Sequence, residues 1–188
     1  MNYQQREEIE RLSQFTPEEK IEILSAAVFR NIAVQAAMVM PLIEKYGDEA
    51  KEHLKKALRE NMVNYYRKVL DSRKVERRDL DSFNQLFMSE IMNSLTIMGQ
   101  TGGVVIEKTE KRLVTKDNRC IVLDAWKTFT DKPEIMCEID SEIEKAMAEA
   151  TDPKLVYTQY SGPKVGGKTQ WGLPWGKECC EFIVEKKD

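Results

Sequence analysis

Four cysteines carry the chemistry this chain could perform, and three of them fall where different elements should meet. Cys120 stands between a strand and a helix, Cys137 lies in the first turns of the next helix, and Cys180 sits inside the last strand, beside Cys179 and two residues before Phe182. A thiolate is both the strongest nucleophile and the softest metal ligand among the side chains, so these positions are read first. At a helix start beside Arg119, the Cys120 thiol would be acidified by the backbone dipole and by the guanidinium. Asp124 one turn on, or Asp140 one turn after Cys137, could move protons. Arg119, Lys127 or Lys177 could hold a carboxylate, and Trp126 could offer an aromatic wall to a small planar molecule. The competing reading is packing, because cysteine is among the most buried residue types and Trp126, Trp171 and Trp175 serve equally as core or loop anchors.

Two further constraints narrow the chemistry. His53 is the single histidine, which excludes any site built on two imidazoles. A zinc site using Cys120, Cys137, Cys180 and Glu134 is chemically reasonable, but these residues are too widely spread to match a recurrent zinc spacing. Neither a glycine-rich nucleotide motif nor a helical zinc-protease motif is present. Strand geometry separates the adjacent pair: Cys180 shares its parity with Phe182 and Val184, and Cys179 with Glu181, Ile183 and Glu185. The apolar set should face the helices, which predicts Cys180 inward, toward the end of the hairpin leading to Cys120, and Cys179 on the outer or edge face.

The elements that must position these residues follow from length and pattern. The chain has 188 residues, 41% apolar and 32% charged, with a net charge of -3. This suits a single domain spanning 1–188, with a helical part to 99 and an α+β part from 100 that carries the cysteines. The slight acidity offers no field for a phosphate backbone, so no nucleic-acid partner is expected. Residues 1–12 are polar where a secretory signal would be apolar, so the expectation is a cytoplasmic protein with reduced cysteines.

Thr16-Pro17-Glu18-Glu19 reads as a capping box opening the first helix. From Ala26 to Ile43 the chain is apolar except for Arg30, Asn31 and Gln35; these polar residues, the alanines and Pro41 favour a buried helix, kinked or restarted at Pro41, over a membrane span. Such a helix should pack in the middle of the domain or across an interface between copies in a homo-oligomer. Gly47 ends it and Asp48 caps a second helix with Ala50, Leu54, Ala57, Leu58, Tyr65 and Val69 on one face. Asp71 to Asp81 reads as a solvated connection, and Leu80, Phe83, Phe87, Ile91 and Leu95 mark a third helix ending at Gly99. Beyond Gly102-Gly103, Val104 to Lys116 reads as a hairpin, followed after Cys120 by a short helix, with strand as the competing reading. Pro133 starts a helix with Met136, Ile139, Ile143, Ala146, Met147 and Ala150 buried and its acids in solvent. Leu155 to Tyr160 and Cys179 to Glu185 read as strands. The expected fold is α+β: three N-terminal helices, then a mainly antiparallel sheet of about four strands with helices on one face.

Taken together, Arg119-Cys120 with Trp126 downstream, Pro133-Glu134, Cys137 with Asp140, and Gly176, Cys180 and Phe182 near the end give a pattern that resembles the L-2-amino-thiazoline-4-carboxylic acid hydrolase family. More distantly it is similar to the vinyl reductase type of small-molecule-binding domain. The Tyr46-Gly47-Asp48-Glu49 step resembles the helical first half of such proteins. Lys177 stands where that family tends to carry aspartate, and Ile121 where it tends to carry proline, departures that bear on the substrate more than on the fold. The resemblance implies hydrolytic opening of a small sulfur and nitrogen heterocycle, giving N-carbamoyl-cysteine from 2-amino-thiazoline-4-carboxylate, with Cys120, Asp124 and Cys180 as the catalytic set, Arg119, Trp126 and Lys177 holding substrate, and no cofactor. The alternative it implies is a noncatalytic domain enclosing a small ligand, in which the cysteines line the wall or hold zinc.

Overall fold

The computed structural model describes residues 13–92, 104–117, 121–159 and 180–188. Its first helix opens on the capping box: the Glu19 N–H donates to Thr16 Oγ1 at 3.2 Å and the Thr16 N–H donates to Glu19 Oε2 at 2.8 Å. This helix, α1, runs Pro17–Ser72, with Gly47 as the one non-helical residue inside it. At φ 71 and ψ -157, Gly47 occupies a backbone region essentially closed to residues with a Cβ. The first two expected helices are thus two halves of one element, divided at Gly47 as expected. The helix does not restart at Pro41 but continues through it. Pro41 and Ala37 are both exposed, so water can serve the carbonyl that the proline leaves unbonded.

The connection after α1 is tied by the Arg78 guanidinium, which donates to Asp71 at 2.7 Å and to the Val75 carbonyl at 3.0 Å. Helix α2, Leu80–Phe87, is capped by Asp79, whose carboxylate accepts the Ser82 N–H at 3.0 Å, and passes into a π-helical turn at Met88–Met92. The expected continuation through Leu95 to Gly99 lies outside the described residues. Strands β1 (Val104–Lys108) and β2 (Arg112–Asp117) form the hairpin. Helices α3 (Ile121–Trp126) and α4 (Pro133–Thr151) follow, then β3 (Leu155–Gln159) and β4 (Cys180–Lys186). The four strands form one antiparallel sheet in the order β1-β2-β4-β3. The fold is α+β, as the pattern predicts.

Register explains which sheet face is covered. Leu113 pairs with Val184, and Val184 with Tyr157; all three are buried against α1, α2 and α4 in a core with Phe83, Phe87 and Met147. Phe182 anchors the same face, its ring 6.0 Å from Phe87 and 5.9 Å from Tyr157. The opposite face carries an ion-pair ladder in which Arg112 lies 3.0 Å from Glu107 and 3.1 Å from Glu185. A second, smaller core joins Ala36 and Met40 of α1 to Trp126 of α3 and Met136 of α4.

Three expectations are corrected by packing. The helix from Ala26 to Ile43 is not buried all round: Ala33, Ala36, Met40 and Ile43 are, while Val34, Met38 and Leu42 are exposed. In the second half of α1 the buried residues are Val63, Tyr66 and Leu70, and Tyr65 points outward to donate to Glu90 at 3.2 Å. The acids of α4 are not a solvated face. Glu142 is buried at 5% exposure, bonded by Lys145 at 2.5 Å with Arg59 at 3.7 Å, and Glu138 meets Lys51 at 3.1 Å. The second half of α1 lays its Lys51 and Arg59 along α4, which turns those carboxylates into interface groups.

Candidate functional site

The end of the sheet where β2 hands the chain to α3 brings two of the singled-out segments together. Asp117, the last residue of β2, pairs directly with Cys180, the first residue of β4. Three residues after Asp117 in sequence comes Cys120, and Ile121 then begins α3. Arg119, Cys120, Lys177 and Cys179 lie outside the described residues, as does the Cys180 side chain, so the inward direction expected for Cys180 falls outside them too. The inward direction expected for the apolar set on β4 is seen in Phe182 and Val184.

Helix α3 holds the other two expected residues. Its short length is closed by a 3.0 Å bond from the Lys127 N–H to the Leu123 carbonyl and a 2.7 Å bond from the Thr128 hydroxyl to the Ala125 carbonyl. Asp124 is half-buried on it. Trp126 is 2% exposed, wedged against Ala36, Met40 and Met136, so its ring is part of the smaller core. Its indole N–H is buried without a hydrogen-bond partner among the described residues. An unmet buried donor costs about 1–3 kcal/mol, which marks this atom as a place where an acceptor would be welcome.

Cys137 packs half-buried against the same cluster, in the first turns of α4. One turn further, Asp140 has its carboxyl pushed up to about 6 by burial. The Tyr66 hydroxyl nearby is held far above its ordinary range, first by burial, then by the charges of Glu144, Tyr65, Glu90 and Asp140. It therefore stays protonated at neutral pH. Glu134, at the start of α4, is also raised, chiefly by burial and then by Asp131 and Glu138. A carboxyl that burial raises toward neutrality is suited to general acid catalysis. The sequence singles out Asp140 by its place one turn after Cys137, but not its burial, because the acids of α4 read there as a solvated face.

His53 is exposed on α1. Among the described residues no cluster of three or more His, Cys, Asp or Glu side chains is placed to hold a metal ion. Two open clefts are lined mainly by charged side chains, one by Arg59, Arg67 and Glu149, the other by Arg77, Lys108, Lys111 and Lys186. Neither includes Asp124, Trp126, Cys137 or Asp140. Comparison with protein-family models, with characterised proteins and with solved structures finds no match for this chain.

Proposed function

We propose that the chain is a hydrolase that opens a small sulfur and nitrogen heterocycle such as 2-amino-thiazoline-4-carboxylate. The observation that carries this reading is the buried Asp140 carboxyl, titrating at about 6 one turn beyond Cys137. The reaction forms a bond from water oxygen to the ring carbon between sulfur and nitrogen and breaks the bond from that carbon to sulfur. The oxygen becomes the carbonyl of N-carbamoyl-cysteine, and a proton must reach the departing thiolate. An acid that is partly protonated near neutrality is suited to deliver it. Cys120 or Cys180, if a thiolate attacks first, would form a thiol-linked intermediate that water then releases. Asp124 would accept the proton of the attacking group, and Arg119 and Lys177 would hold the substrate carboxylate. The reaction needs no cofactor.

The test is product formation by the purified full chain, followed by mass spectrometry. Turnover is expected, with Asp140→Asn and Cys120→Ala each lowering kcat by about a hundredfold or more. Cys180→Ala should impair turnover and Cys179→Ala should leave it nearly intact. Absence of turnover together with stoichiometric zinc on elemental analysis would replace the hydrolase with the small-molecule-binding reading.

A further inference from the structure

The half of α1 before Gly47 is covered on one side only. Its opposite side exposes Leu24 by 55%, Val34 by 41%, Met38 by 68% and Leu42 by 46%. Single exposed apolar residues are ordinary, but these are aligned. Leu24, Ala27, Asn31, Val34, Met38 and Pro41 recur at alternating steps of three and four, the seam spacing of a two-stranded coiled coil, with Leu42 beside it. At those exposures the stripe and its flanks leave roughly 500 Å² of apolar surface, which with a polar rim approaches the ~800 Å² that each partner buries in a standard interface.

Two candidates could cover such a stripe, a bilayer or another protein helix. This helix contains an 18-residue stretch long and apolar enough to cross a membrane, of which 17% is buried. Crossing would tear Ala36 and Met40 from Trp126 and Met136, exposing an indole that the fold keeps 2% accessible. It would also sink the Asn31 amide into hydrocarbon, where it finds no partner. In a protein seam the same asparagine is an asset, because a single amide at such a position bonds its counterpart and sets register and strand number.

We propose that the first half of α1 forms a two-stranded seam with the same helix of a second copy of this chain, Asn31 facing Asn31 and Met38 facing Met38. The experiment is light scattering of the full chain after gel filtration, from low to high micromolar concentration, with and without neutral phosphatidylcholine vesicles. Twice the chain mass is expected for the native sequence. Met38→Glu should weaken self-association by at least about tenfold and yield monomer with unchanged circular dichroism. Met38→Leu should remain dimeric, and Asn31→Leu should add higher assemblies as the register loses its marker. Val34→Lys serves as the second seam variant should Met38→Glu fold poorly. The proposal is overturned by a monomer at every concentration, by dimers that neither charged variant disturbs, or by vesicle binding without self-association.

Discussion

Replacing Asp140 with asparagine should make the protein more stable and less able to move a proton. A carboxyl that titrates at about 6 rather than 3.8 binds more protons folded than unfolded between those two values. Stability therefore falls as pH rises through that window, and above it the charged form keeps the fold weaker by about 3 kcal/mol. Local rearrangement of the surrounding protein around the charge reduces this, so the expected reading is about 1–3 kcal/mol. Asparagine keeps the shape without the charge. Asp140→Asn should thus exceed the native protein by that amount at pH about 7.5 and match it at pH about 3, where the aspartate is mostly protonated in both states. Urea unfolding followed by circular dichroism at several pH values gives the difference directly. A difference that does not change with pH, or an asparagine variant less stable than the native protein at neutrality, would refute the account of Asp140 as a charge held against its preference.

Two other substitutions test the frame. Gly47→Ala should cost about 1–3 kcal/mol in a thermal melt through backbone strain alone, since nothing lies within 4 Å of the added Cβ. Leu113→Ala, at a residue 1% exposed on β2 and facing the helices, should lower stability by about 2–5 kcal/mol in urea, and a loss below about 1 kcal/mol would mean the core is not where the register puts it.

Local chemistry was legible in the sequence wherever a few neighbouring residues decide the outcome. The Thr16 box needs only Glu19, the turn at Gly47 needs only the missing Cβ, and the parity of Phe182 and Val184 follows from strand geometry. What escaped the sequence depends on distant partners. Glu142 reads as solvated until Arg59 of α1 is brought against it, and the burial of Asp140 appears only once α4 is packed. The apolar run from Ala26 to Ile43 declares that it must be covered but not how much of it this copy of the chain covers. Of the expected site, Asp124 and Trp126 can be placed on α3, and Cys180 only by its backbone pairing with Asp117.

The division of the interior into two cores has a consequence for how the protein breathes. The larger core fastens the sheet to α2, α4 and the second half of α1, whereas only Ala36, Met40, Trp126 and Met136 are fully buried in the smaller one. Cooperative units open with free energies that follow their buried contacts, so the smaller cluster should open first and leave the sheet intact. Gly47 supplies the joint at which the first half of α1 can swing, and α3 would be freed with it. Amide hydrogen exchange in 17–46 and 121–126 would then run ahead of that in 55–72. The segment that carries Asp124 and adjoins Cys120 would come and go from its seat many times for each global unfolding event.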